Sequence, residues 1–412
     1  MKDSYGGDMK KEIKIYFAII ALTAFGLGMT NNVISNFFKD AYNVTAYQRG
    51  FLEFPRELPG LISVFVIAGL SFLSDIRISM LAQLLSVVGI LALGLYTPTF
   101  NVMIIFIFIN SLGMHLFFPL QDSIGLELAE KDNMGKRLGQ FKGFFTGVQM
   151  IASLFVFAGF KMGFMSFETN MKSPFLIAAV LFLGVFVLLG MLDKKVRESK
   201  PHTAVKGFIF RAEYRYYYTL VILFGVQKQI MMVYGPWVII DLLGKKADTI
   251  SILTVIGSFI GIFFIPAIGR WLDKFGVKNM LYLDAISFIG VYLIYGFLSM
   301  GYVNGSVSTV GYGVLFAYII FIFDRMSTQM GIIRTVYLRK IAIKPTDVTP
   351  TLTLGQSMDH FVSIICAYLG GIVWTVWGPQ YIFFLAAGLS LINLYVAVKV
   401  DFKDGWKYEQ TL

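Results

Sequence analysis

The sequence predicts an all-α membrane protein of twelve transmembrane helices in two repeats of six. Three observations lead there: a lipid-like composition, the spacing of apolar runs, and an echo between the two halves of the chain. Of 412 residues, 57% are hydrophobic, 16% aromatic and 15% charged, against roughly 25% charged in ordinary soluble domains. Mean hydropathy is +0.70. A water-facing surface needs more charge than this, so lipid must solvate most of the chain. The formal net charge of +10 would suit nucleic acid only if Lys and Arg gathered on one soluble face, and the apolar runs leave no such face. One cysteine, Cys366, and three histidines, His115, His202 and His360, exclude an intrachain disulfide framework and argue against a metal centre.

A span needs about 20 mostly apolar residues. The first run, 14–35, follows the polar tail MKDSYGGDMKKEIK and has neither the length nor the cleavage site of a signal peptide. The second, 51–73, contains Pro55, Pro59 and Gly60, which bend helices. Runs at 79–97 and 173–192 carry no charge, 102–125 carries Asn110 and His115, and 139–160 opens on Leu138-Gly139-Gln140. Asp193 to Arg215 is the most polar stretch, with Lys194, Lys195, Arg197, Lys200, Lys206, Arg211 and Arg215. Six more runs follow at 216–241, 249–268, 279–300, 312–337, 352–376 and 380–399. Gly235-Pro236 is expected to break the seventh toward its outer end, and Gly257 with Gly261 gives the eighth a small-residue packing face. The domains are thus 1–192, a basic linker at 193–215, and 216–412.

Cytoplasmic loops retain Lys and Arg. With both termini inside, the inner segments hold Lys and Arg over the outer loops by about four to one. The inner set includes Lys2, Lys131, Lys403 and Lys407; the outer set is Lys39, Arg49, Lys161, Lys172, Lys245 and Lys246. A multi-pass protein of the plasma (inner) membrane, both termini cytoplasmic, is expected. Most of the net charge is then a topology signal.

The halves match in detail. Ser71-Phe72-Leu73-Ser74-Asp75-Ile76-Arg77 follows the second span, and Gly269-Arg270-Trp271-Leu272-Asp273-Lys274-Phe275-Gly276-Val277-Lys278 follows the eighth. Leu138-Gly139-Gln140 is repeated as Leu354-Gly355-Gln356. In these residues the chain resembles the major facilitator superfamily (MFS) of secondary transporters, whose loop reads G-x-L-a-D-R/K-x-G-R-K. Gly269, Asp273, Lys274, Gly276 and Lys278 fit it, whereas the first copy has Ser71, Ile78 and Ser79 in place of Gly, Gly and Arg. The resemblance implies two six-helix bundles around a central cavity, alternating access, and spans three, six, nine and twelve as an outer scaffold. It leaves the substrate open.

Charges inside spans are costly and face protein or a wet cavity. Asp324 and Arg325 lie about 18 Å from the outer end of span ten at 1.5 Å per residue. Lys228 in span seven is at similar depth, and Asp359 and His360 lie in span eleven. Neighbours on a helix point about 100° apart, so Asp324 is expected to face Lys228 or His360 rather than Arg325. A proton taken up and lost by Asp or His here would couple transport; a fixed ion pair is the structural alternative. Glu53, Arg56 and Glu57 share one helical face, so that Arg56 could bridge both carboxylates as an outer gate, a substrate contact or an interfacial ion cluster. His115 and Asn32 are candidate cavity residues. The resemblance implies gating roles for Asp75, Arg77, Asp122, Gly269, Asp273 and Lys278, with Arg77 meeting an acid at the end of span four.

No G-x-x-x-x-G-K-[ST] loop is present, which excludes ATP-driven transport by this chain alone. No catalytic metal, Cys–His or Ser–His–acid arrangement suggests an enzyme, and no cofactor is expected. The favoured function is proton-coupled symport of a small polar organic solute, a sugar or carboxylated metabolite, by a monomer in lipid. Proton-coupled export of drugs or metabolites is the alternative, although Ile109 stands where drug exporters carry Arg and span five has no proline. A non-transporting receptor or scaffold on the same fold is the alternative of a different class.

Overall fold

The computed structural model describes residues 3–70, 72–128, 134–169, 171–194 and 210–400. Ser71, Lys131, His202, Lys2, Lys403, Lys407 and linker residues Lys195, Arg197, Lys200 and Lys206 lie outside them. The helices are α1 (Asp3–Asn31), α2 (Ile34–Tyr42), α3 (Ala46–Phe51), α4 (Glu53–Gly69), α5 (Asp75–Leu95), α6 (Phe100–Glu127), α7 (Met134–Lys161), α8 (Ser173–Asp193), α9 (Arg215–Trp237), α10 (Ala247–Asn304), α11 (Tyr312–Gln329), α12 (Ile332–Ile341), α13 (Pro345–Val376) and α14 (Pro379–Lys399).

Among the described residues nine helical stretches are long and apolar enough to cross a membrane. One of them, α10, is two expected spans joined across Gly276, whose φ of 76° and ψ of 163° is not helical. Only glycine adopts such a conformation without strain, so the motif glycine sets this bend. α4 and α9 occupy the places of expected spans two and seven. The Gly235-Pro236 pair does not end α9; the helix runs to Trp237 and widens into a π-helical turn, Val238–Leu242.

The chain forms two compact units. The first comprises Met1–Val44, Leu52–Ala204 and Lys246–Val255, and the second Thr45–Phe51, Val205–Lys245 and Ile256–Leu412. Each therefore includes a short segment from the other half of the sequence.

In the first unit α5 packs along α6 and α8, α1 along α7 and α8, and α4 along α6. A Cβ on Gly113 would lie 2.4 Å from the Ala82 carbonyl oxygen, so only glycine lets α6 approach α5 this closely. Tyr16, Ile19, Leu116, Phe117, Leu120 and Leu189 are buried in the core. Lys172, expected in an outer loop, is fully buried and donates to the Thr97 hydroxyl; burial pushes its ammonium pKa down.

In the second unit α9 packs against α13 and α14. α3 packs on α13 through glycine: a Cβ on Gly50 would lie 2.3 Å from the Ala367 carbonyl oxygen. The tenth expected span is two helices, α11 and α12, broken at Met330-Gly331. Arg334, just beyond the break, donates to Asp284 Oδ2 at 2.7 Å and to the Leu220 carbonyl at 3.1 Å, and its guanidinium sits 4.1 Å from the Phe224 ring centroid. Both charges are buried, and together they tie α12 to α9 and to the second leg of α10. The end of the linker is anchored too. Tyr214 donates to Asp347 Oδ2 at 2.7 Å, Arg211 pairs with the same oxygen at 2.9 Å, and the Ile343 N–H donates to the Tyr214 hydroxyl. Burial, aided by Asp347, holds the Tyr214 phenol above its usual pKa, so it remains a donor.

Removing one member of a buried ion pair strands the other, at about 3–5 kcal/mol. Arg334→Leu is expected to lower the melting temperature of the detergent-purified protein sharply. The double variant Asp284→Asn/Arg334→Leu is expected to melt above the single one, measured by intrinsic-fluorescence thermal unfolding.

Candidate functional site

Helices α1, α6 and α7 of the first unit line a half-open cavity of about 320 Å³. Tyr16, Phe118, Phe141 and Phe145 give it aromatic walls, and Asn31, Gln121, Thr146 and Gln149 give it polar ones. Among the described residues the side-chain amides of Asn31, Gln121 and Gln149 take no hydrogen bond. For Gln121 this matters most: it is 8% exposed, and its buried Oε1 has no partner. An unmet buried amide costs about 1–3 kcal/mol, a deficit a bound polar ligand would relieve. Lys142 and Asp122, also on the wall, neutralise each other at 3.4 Å. Both are more than half exposed, so their pairing adds little to stability.

The expected cavity residue Asn32 is turned elsewhere. It donates to the Gly28 carbonyl at 2.7 Å and to Ser153 Oγ at 2.8 Å, joining α1 to α7. Its neighbour Asn31 faces the cavity instead, as the 100° step of a helix requires. In α4, Arg56 pairs with Glu53, three residues before it, while Glu57 is half-buried one residue beyond. Ser111 Oγ donates to the Arg56 carbonyl and lies 3.1 Å from His115 Nδ1, which is also 2.9 Å from the Ser111 carbonyl. These contacts place Glu53, Arg56 and His115 along one α4–α6 seam. Asn110 is a packing residue, donating to the Ser86 carbonyl at 3.1 Å.

In the second unit the expected facing of Asp324 is corrected. Lys228 pairs with Asp359, not with Asp324, and His360 follows half-buried on the same helix. Gly225 makes room for the acid: a Cβ there would lie 2.6 Å from Asp359 Oδ1. Asp324 is 4% exposed and forms no side-chain hydrogen bond or ion pair among the described residues; its Oδ1 is buried without a partner. It acts electrostatically on Tyr292 and Tyr295, whose buried hydroxyls likewise lack partners. Arg325 points away, against Gly257 and over the Phe321 ring at 5.0 Å. Tyr234 and Trp237 are fully buried, and Tyr234 stacks on Trp374.

The Major Facilitator Superfamily model matches residues 16–345. The chain belongs to the Major Facilitator Superfamily. This is a family of transporters rather than enzymes. A search of curated proteins finds no match. Among solved structures, the nucleoside transporter NupG is similar at 14% identity and a TM-score of 0.72, over 94% of this chain and 98% of that one. A POT family transporter in complex with 5-aminolevulinic acid gives 11% and 0.76, over 94% and 96%. A bacterial homolog of the human lysosomal transporter Spinster, inward-facing and unoccupied, gives 12% and 0.65, over 99% and 100%. At these identities the likeness is one of fold.

Of the superfamily loop residues, Asp75 accepts a 2.6 Å hydrogen bond from Ser123 near the end of α6. Arg77, expected to meet an acid at the end of the fourth span, instead pairs with Asp193 at the end of α8 at 3.2 Å. Asp122, that expected acid, is taken by Lys142. In the second copy Asp273 is exposed, and Gly269 and Lys278 are half-buried on either side of the Gly276 bend.

Asn31, a cavity candidate from its place in the first span, does face the cavity, whereas Arg334, Gln121, Gln149, Tyr292 and Tyr295 do not stand out in the sequence. A usable signal existed for one group: Lys142, Thr146 and Gln149 recur at i, i+4 and i+7, a polar stripe on an otherwise apolar helix. Asp359→Ala is expected to leave Lys228 half-buried and uncompensated, lowering stability by about 1–3 kcal/mol. Lys228→Ala/Asp359→Ala should regain part of that loss in the same thermal assay.

Proposed function

We propose that this superfamily member is a proton-coupled symporter of a small polar organic solute, working by alternating access in the plasma membrane with both termini cytoplasmic. The observation that carries the coupling is the buried Asp324 carboxyl, which forms no ion pair or side-chain hydrogen bond among the described residues. In the membrane part of the second unit Asp284 has Arg334 and Asp359 has Lys228, while Asp324 and Arg325 point apart. Charge on an unpaired buried carboxyl is costly, and taking up a proton removes that cost. Such a group gives a proton gradient a place to act. The first-unit cavity supports a polar solute, and NupG and the POT family protein, by their descriptions, handle a nucleoside and 5-aminolevulinic acid.

In this scheme Asp324 is the proton site, with Tyr292 and Tyr295 beside it. Lys228–Asp359 and His360 respond to its charge state, and Glu53, Arg56, Glu57 and His115 form the corresponding polar seam of the first unit. Asp75, Arg77, Asp122, Gly269, Asp273 and Lys278 act at the loops in setting which access state is favoured.

The test is uptake into proteoliposomes with and without an inward proton gradient, using a panel of nucleosides, sugars, organic acids and dipeptides. At least one solute is expected to accumulate only with the gradient. Asp324→Asn should abolish accumulation yet retain solute exchange across the membrane at equal pH. If no solute moves under any gradient, transport is refuted; if Asp324→Asn accumulates solute like wild type, the coupling assignment is refuted.

A further inference from the structure

We propose, resting on the transport reading above, that the first-unit cavity selects an uncharged solute with a flat heterocyclic ring and several hydrogen-bonding groups, the chemistry of a nucleoside. Three features of the wall lead there. The first is charge. The only oppositely charged side chains on it, Asp122 and Lys142, are matched to each other at 3.4 Å. A carboxylate or zwitterion entering would give up hydration and find no unmatched counter-charge. An uncharged solute meets no such barrier.

The second feature is the set of open amides. Gln121, Asn31 and Gln149 each offer a donor pair and an acceptor and make no side-chain hydrogen bond to protein among the described residues; of these groups the Gln121 Oε1 is buried without a partner. A carboxamide is the side chain that pairs with the mixed donor–acceptor edge of a heterocyclic base through two hydrogen bonds at once. The backbone carbonyl of the buried Gln121 accepts from Tyr16, which ties this part of α6 to α1. The third feature is the aromatic wall of Phe118, Phe141 and Phe145. Stacking of a base on such a side chain is favourable and needs a flat face. At about 320 Å³ the space lies at the small end of ligand cavities, suited to one ring system with its substituent. The carboxylated metabolite suggested by the sequence fits this wall poorly.

The experiment measures equilibrium binding of radiolabelled uridine to the full chain in nanodiscs, with glucose, succinate and a dipeptide as competitors, and in parallel proteoliposome uptake of all four compounds. Uridine is expected to bind and to resist displacement by succinate and the dipeptide. Asn31→Ala and Gln149→Ala should each weaken binding by about three- to tenfold, the value of one neutral hydrogen bond. Gln121→Ala should weaken it more. Asn31 is exposed, so its variant is not at risk of misfolding and keeps the test decisive if Gln121→Ala fails to express. If succinate, the dipeptide or glucose accumulates while uridine neither binds nor moves, the inference is overturned and the transport reading stands. If uridine binds in an Asn31- and Gln149-dependent way but nothing is transported, the transport reading fails and the cavity assignment stands. Uridine binding unchanged by all three substitutions also overturns the inference.

Discussion

Lipid cannot solvate a charge, so each ionised group in the membrane part of this chain needs a counter-charge, a hydrogen bond or a proton from within the protein. The second unit is organised by that constraint. Arg334 answers it with Asp284, the Leu220 carbonyl and the Phe224 face, and Lys228 answers it with Asp359. Asp324 stands apart from both pairs, beside hydroxyls that are as unmet as it is. The pairs lock helices together, whereas the unpaired acid is the point at which a change of protonation would alter the energy.

The first unit treats polarity differently. Asn32, Asn110 and Ser153 spend their hydrogen bonds on helix packing, and the glycine at 113 brings α5 and α6 to backbone contact. Gln121 on the α1–α6–α7 cavity keeps a buried amide oxygen unmet, as do Ser79 and Gln83 away from it. The cavity's two charges pair with each other, and the proposed solute site and proposed proton site thus fall in different units.

Much of this fold was legible because its signals are local. Apolar length located the helices, and the loop motif placed a glycine at the bend where φ is positive. The buried charges at 228, 324 and 359 stood out because lipid makes them conspicuous. Their pairing did not, since which acid meets Lys228 depends on helix rotation and on the space left by Gly225. Arg334 was concealed by its place near the end of a long apolar run, where it looked like one more flanking base. Asn31 and Asn32 show the limit most simply: adjacent and chemically identical, they are assigned to cavity and packing by a rotation that no composition records.

The exchange of short segments between the units bears on how the chain is made. Thr45–Phe51 belongs to the second unit and seats Gly50 against the Ala367 backbone, more than three hundred residues later in synthesis. The first unit in turn needs Lys246–Val255. Domains commonly fold one after another as the ribosome delivers them, but here neither unit can be completed by its own half of the message. A truncated product ending at the linker would lack the 246–255 segment that groups with its helices, and the last helices to emerge must receive a segment that has been waiting since the start of translation.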